Sequence, residues 1–379
     1  MKKTIINVRP FSEGRIKNLC NIVTEDGKIL SMGNVIAGEV IDGGGMIACA
    51  GYIDIHTHGG WGKDCMEPTY EAIDTVAKYH LSTGITSFCP TTMTADIADI
   101  EAALANMRSY KTNGARLAGA HLEGPFLSSK AAGAHPLDKL QNPDKNNTAF
   151  IGRNRDMVRR ITVAPDLSGA PFLTALCASM GIQVSIGHDG SIDDEILACI
   201  EAGASSVTHM GNCTSHASRR YPSPKKHLGL FEMGLADDRL VCEVIADDRH
   251  VPDALFKIFY RLKGKDGICF VSDSLSVAGM SEGDYFLGSG ESAQAIRIED
   301  GVAVLPDKHT YAGSVTPISK MVSRLYAQGY PAEDVMTMAT ITPAKLVGLT
   351  DRGDIRPGLL ADINLLNDKL EVVKTVMGE

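Results

Sequence analysis

GYIDIHTHGG, residues 51–60, ends an apolar run with two histidines two positions apart. Alternate residues of a strand share a face. If Tyr52 to His58 is extended, His56 and His58 point the same way, and Gly59-Gly60 ends the pairing. A single strand-end histidine is more often a hydrogen-bonded core residue than a ligand. Two on one face call for partners from elsewhere in the chain. Working outward, "MIACAGYIDIHTH" is the first of eight β-rich runs; "GITSFCPTT", "RLAGAHLEGP", "RITVAPD", "IQVSIGHD", "SSVTHM", "LVCEVIAD" and "GICFVSD" follow. They alternate with segments of helical period such as "YEAIDTVAKYHLSTG" and "DDEILACIEAG". Eight β and α units in alternation predict an α/β fold, a (β/α)8 TIM-type barrel. An open doubly wound sheet is the alternative, but no G-x-G-x-x-G opens a helix after a strand and no P-loop occurs.

The bulk composition excludes several classes. With 379 residues, 44% hydrophobic and 22% charged, the chain can bury a sizeable core. A net charge of −9 argues against nucleic acid or an anionic membrane as partner. Nine cysteines without a C-x-x-C pair read as reduced, buried thiols. "MKKTIINVRPFSEG" lacks the apolar core of a signal peptide, and no stretch is long enough to span a bilayer. The expected location is cytoplasmic.

Polar residues collect at the ends of the predicted strands. His56 and His58 close the first, Glu123 the third, Asp166 the fourth, His188 the fifth, His209 the sixth, Asp247 the seventh and Asp273 the eighth. In a barrel those ends converge on the mouth where catalytic residues gather. Imidazole and carboxylate together suit zinc and related divalent ions. Glu123, His188 and His209 supply three ligands for one ion, and His56 and His58 offer a place for a second. The cofactor expected is a divalent metal ion, one or two per subunit, zinc first and iron or another divalent ion as alternatives. Asp273, beside the first strand in a closed barrel, flanks the water such an ion would acidify and is the candidate general acid/base. Its plainer role would be a helix N-cap. "GNCTSHASRRYPSPKKHLG" gathers Arg219, Arg220, Lys225, Lys226 and His227 into a cationic island suited to a phosphomonoester, or merely to solvent. His135, in the Gly/Pro-bounded "KAAGAHP", lies close after the Glu123 strand and so near the mouth.

"GYIDIHTHG", "GAHLEGPFL" with "KAAGAHP", "SIGHD", "THMGN", "VIADDRHV", "VSDSLSVAG", "YAGSVTPI", "MATITPAKLVGL" and "GDIRPGLLADI" together resemble the N-acetylglucosamine-6-phosphate deacetylase branch of the amidohydrolase superfamily. The resemblance runs from about residue 45 to the C-terminus. It implies that Glu123, His188 and His209 bind the catalytic metal and that Glu123 replaces the carboxylated lysine other branches carry on the fourth strand. It implies further that Asp273 is the acid/base and that His135 polarises the acetyl carbonyl. Asn212, the backbone amide of Cys213 and His250 would hold the phosphate, His250 reaching into a partner subunit's site in a homodimer. Segments 1–48 and 345–379 would form one small β-sandwich around a barrel of 49–344. The substrate implied is an N-acetylated hexosamine 6-phosphate. Where the family carries an aromatic residue this chain has Gly211, and Cys213-Thr214 replace Ala-Met. N-acetyl-D-glucosamine 6-phosphate is the sugar expected, and N-acetylgalactosamine 6-phosphate or another acylated amino sugar phosphate stays open. An N-acyl amino acid deacetylase and a catalytically dead scaffold barrel are the rival readings.

Overall fold

The computed structural model describes residues 1–219, 224–287, 294–306 and 311–378. Eight parallel strands form the predicted barrel: Tyr52–Thr57, Ile85–Thr92, Ala120–Glu123, Val158–Val163, Gln183–Ile186, Ala204–Val207, Val241–Val244 and Ile268–Phe270. The last meets the first through a parallel bridge between Thr57 and Ser274, with the Asp273 N–H donating to His56 O at 2.9 Å and the His58 N–H to Ser274 O at 2.8 Å. That closure sets Asp273 beside the two histidines. Helices pack outside, among them Tyr70–Ser82, whose first turn is capped by the Thr69 hydroxyl accepting from the Ala72 N–H.

The run "MIACAGYIDIHTH" is two strands, not one. Ile47–Ala50 pairs antiparallel with Ile363–Leu366 in a sheet built from both ends of the chain, and only Tyr52–Thr57 enters the barrel. The break falls at Gly51, whose N–H donates to Asp362 O at 2.8 Å. A Cβ there would lie 2.1 Å from the Thr86 side chain, so the two sheets approach closely at this residue. Lys2–Ser12 pairs with Cys20–Glu25 and with Ile47–Ala50 in the same sheet, over a core that includes Ile5, Ile22, Ile29, Ile355 and Ile363.

One element escaped the sequence reading. Gly283–Leu287, Gln294–Glu299, Val302–Val304 and Tyr311–Ser314 form an antiparallel four-stranded sheet after the eighth barrel strand. It has its own small core of Leu275, Val277, Ile296, Ile298 and Ala303. Asp300 and Gly301 link two of its strands with φ of 52° and 76°, the two left-handed residues of a tight hairpin.

The barrel interior carries a buried ion pair between Arg160 of the fourth strand and Glu243 of the seventh, both wholly buried. Among the described residues no helix is long and apolar enough to cross a membrane.

Gly51→Ala should destabilise the chain by about 1–3 kcal/mol, the usual cost of overpacking a tight contact. Urea unfolding measures it, and an unchanged midpoint would contradict the close approach.

Candidate functional site

The strand ends meet at one mouth, and Glu123 lies at its centre. Its Oε1 is 3.1 Å from His209 Nε2 and 3.3 Å from His188 Nε2. Its Oε2 is 3.0 Å from His58 Nε2 and 3.3 Å from His56 Nε2. Each oxygen therefore faces one pair of imidazoles. Asp273 joins the first pair, with Oδ1 3.3 Å from His58 Nε2 and 3.5 Å from His56 Nε2. The donor atoms form two compact sets, His56–His58–Asp273 and Glu123–His188–His209. The backbone aims these side chains at a cost: His188, His209 and Asp273 hold φ of 52°, 28° and 47°, a region non-glycine residues rarely adopt.

The hydrogen-bond partners decide where the ring protons sit. His188 Nδ1 lies 2.9 Å from Ala131 O and His209 Nδ1 lies 3.1 Å from Asn212 O. A carbonyl only accepts, so both Nδ1 atoms carry hydrogen and donate. In neutral rings both Nε2 atoms then present lone pairs, 2.9 Å apart and facing the Glu123 carboxylate. Three acceptors converging in a buried space ask for a cation, and imidazole with carboxylate is the donor set of a divalent transition metal. These residues fit such an ion.

His135 has the opposite arrangement. The Thr94 N–H lies 3.3 Å and its hydroxyl 2.8 Å from His135 Nδ1. A backbone N–H can only donate, so Nδ1 accepts and Nε2 carries the hydrogen. Burial pushes the imidazole down to about 4, which keeps it neutral near pH 7. Its Nε2, 3.5 Å from Glu123 Oε2, is a neutral donor at the rim of the cluster.

Residues 47–378 match the Amidohydrolase family. The chain belongs to the amidohydrolase family. It is 32% identical to the N-acetylglucosamine-6-phosphate deacetylase of Bos taurus, over 91% of this chain and 85% of that protein. To the N-acetylgalactosamine-6-phosphate deacetylase of Escherichia coli O157:H7 it is 29% identical, over 86% of this chain and 85% of that one. A mutant N-acetyl-D-glucosamine-6-phosphate deacetylase of Mycobacterium smegmatis, solved with N-acetyl-D-glucosamine-6-phosphate, superposes with a TM-score of 0.88 at 25% identity, over 100% of this chain and 98% of that one.

In this amidohydrolase the other strand-end carboxylates serve loops. Asp166 accepts from the Ser128 hydroxyl at 2.8 Å and from the Gly190 N–H at 3.1 Å. Asp247 holds His250, whose Nδ1 lies 2.8 Å from its Oδ2. His250 is buried in the cleft of its own chain, against the Tyr311 ring. A cleft of about 300 Å³ above the metal cluster is lined by His58, His135, Asn212, Cys213, His250 and Tyr311, among others. Tyr311 comes from the four-stranded sheet and was missed; the Asp300-Gly301 hairpin was the signal that could have found it. Thr94 was missed too, since nothing in sequence ties it to His135. Of the cationic island, His227 Nδ1 lies 2.7 Å and Lys225 Nζ 3.6 Å from Asp193, while Arg219 is exposed. Arg220 lies outside the described residues.

Protein purified without chelator should carry bound divalent ion, and Glu123→Ala, which removes the carboxylate facing both sets, should reduce it to well below one ion per chain. Elemental analysis by plasma mass spectrometry measures this. Full ion content in the variant would refute the central place of Glu123.

Proposed function

We propose that this chain hydrolyses the acetamide of N-acetyl-D-glucosamine 6-phosphate to glucosamine 6-phosphate and acetate. The observation that carries the proposal is the pairing of a carboxylate, Asp273, with a neutral imidazole donor, His135, around Glu123 and its two donor sets. Amide hydrolysis needs a base for water, a donor for the carbonyl oxygen and an acid for the amine. The relatives' names supply the substrate class.

The metal is proposed as zinc, with iron as the alternative, held by Glu123, His188 and His209 and, for a second ion, by His56, His58 and Asp273. When bound, such an ion polarises a carbonyl and lets water ionise near neutral pH. Asp273 takes the proton from the attacking water and later gives it to the departing nitrogen. The His135 Nε2–H donates to the acetamide oxygen as negative charge builds there. Its tautomer is held by Thr94, so no reorganisation is needed when that charge develops. Asn212, the Cys213 backbone amide and the His250 Nε2 hold the phosphate, with Arg220 as a further contact. The His250 Nε2 suits this role when the ring carries both hydrogens: Nδ1–H donates to Asp247, and the buried Nε2–H, without a hydrogen-bond partner among the described residues, is left to donate to the phosphate. A homodimer in the cytoplasm is the assembly and location proposed. The dimer, with His250 reaching the partner's site, rests on the family resemblance alone.

N-acetylgalactosamine 6-phosphate is the second reading, favoured by Gly211 and Cys213 at the cleft, by Thr214 beside them in sequence and by the E. coli relative's name. A scaffold barrel would have lost ligands, and every ligand position is filled.

Acetate release from a panel of N-acetylhexosamines, with and without 6-phosphate, and from N-acetyl amino acids should be fastest with N-acetylglucosamine 6-phosphate. Turnover of N-acetyl amino acids alone would overturn the reading. Asp273→Asn should lower kcat by ~10²–10⁴-fold and His135→Ala by ~10²–10³-fold, with the ion at Glu123, His188 and His209 kept in both. An active Asp273→Asn would remove that residue from the chemistry.

A further inference from the structure

We infer that Glu243 is a positioning residue for the second ion: its carboxylate holds the His56 ring with Nε2 free to bind and so sets the cation affinity of the His56–His58–Asp273 pocket. The inference rests on the reading of that pocket as an ion site.

Glu243 faces into the barrel from the seventh strand and is wholly buried, as is His56. Its two oxygens have different surroundings. Oε1 accepts from the Arg160 guanidinium, from the Ser185 hydroxyl at 2.9 Å and from the Ser206 hydroxyl at 2.8 Å. Oε2 makes no hydrogen bond within the usual distance, and neither does His56 Nδ1. These two buried, unpartnered atoms face each other at 3.7 Å.

Only one placement of the ring proton relieves both. With hydrogen on Nδ1, the imidazole points a donor at Oε2 and leaves the Nε2 lone pair toward Glu123 and Asp273. With hydrogen on Nε2, two lone pairs oppose each other beneath the ring and a hydrogen blocks the ion pocket. A carboxylate behind an imidazole is a general device for fixing the tautomer and raising the basicity of a metal ligand. The same cluster also grips the strand: the Arg160 guanidinium donates to Ile55 O at 2.9 Å, one residue before His56.

The site needs a carboxylate, not merely a polar side chain. Arg160 offers donors only, and so does the Nδ1–H of His56. Each needs an acceptor, and a glutamine has one oxygen. Turned toward Arg160, its amide would point N–H at Nδ1 and drive the hydrogen to Nε2. The two pockets differ in this respect. His188 and His209 are oriented by the backbone carbonyls of Ala131 and Asn212, which side-chain substitutions leave in place. His56 has a side chain in that role, so a change at Glu243 acts on one pocket selectively.

The test is calorimetric titration of chelator-stripped, full-length protein with Zn²⁺. Wild type should take two ions. Glu243→Gln should bind the first as wild type does and the second about 10–100-fold more weakly, the usual effect of losing such a partner. Glu243→Gln strands the Arg160 charge and could fail to fold. The double variant Arg160→Met/Glu243→Leu leaves no buried charge and should show the same selective loss. Ser185→Ala removes one contact to Oε1 and one to the Thr208 hydroxyl, leaves Oε2 as it is and should keep both ions. A residue that merely neutralised Arg160 would lower the unfolding midpoint and leave both affinities alone. Unchanged second-ion affinity in either Glu243 variant therefore overturns the inference. A wild type that takes one ion only would overturn the second pocket itself and this inference with it, a result distinct from the first.

Discussion

The Glu123 carboxylate stands between two groups of imidazole nitrogens, each oxygen facing one group, buried at the floor of the cleft. With neutral rings such an array is repulsive unless positive charge lies within it, because backbone carbonyls hold two of the imidazoles in the tautomer that points lone pairs inward. Other features of the mouth follow from that constraint. Three of the surrounding residues accept left-handed backbone to bring their side chains over the rim. The two neighbouring strand-end carboxylates, Asp166 and Asp247, are spent on loops and on His250, away from the cluster.

Much of this was legible because a barrel converts sequence position into spatial position. A polar residue closing an apolar strand lands at the mouth whichever strand carries it, so His56, His58, Glu123, His188, His209 and Asp273 could be assembled without coordinates. What the pattern cannot convey is where a side chain between two apolar neighbours points and what answers it. Glu243 in "LVCEVIAD" and Arg160 in "RITVAPD" read as ordinary polar residues within strands, yet they meet inside the barrel. Gly51 was passed over for a similar reason: nothing local distinguishes a flexible glycine from one where two sheets nearly touch. The Asp247 contact that holds His250 was not legible either, since nothing in the sequence says which ring nitrogen is engaged.

The cleft joins two kinds of structure. Its floor is the cluster, fixed by barrel strands and by hydrogen bonds from buried threonines and backbone. Its wall includes Tyr311 from the four-stranded sheet inserted after the eighth strand, with its own small core. The cationic island is partly committed already, since Asp193 engages both Lys225 and His227. Under the proposed function, selectivity for the sugar and its phosphate would lie in the wall and the hydrolytic chemistry in the floor. The same floor under a different wall would cleave the amide of a different amino sugar.

The most direct test is anomalous diffraction from crystals of the metal-loaded protein, recorded on both sides of the metal's absorption edge. The account predicts a peak at about 2.0–2.2 Å from His188 Nε2, His209 Nε2 and a Glu123 oxygen together. A metal-loaded crystal with no peak between those three side chains, or with the ion bound elsewhere, would contradict it.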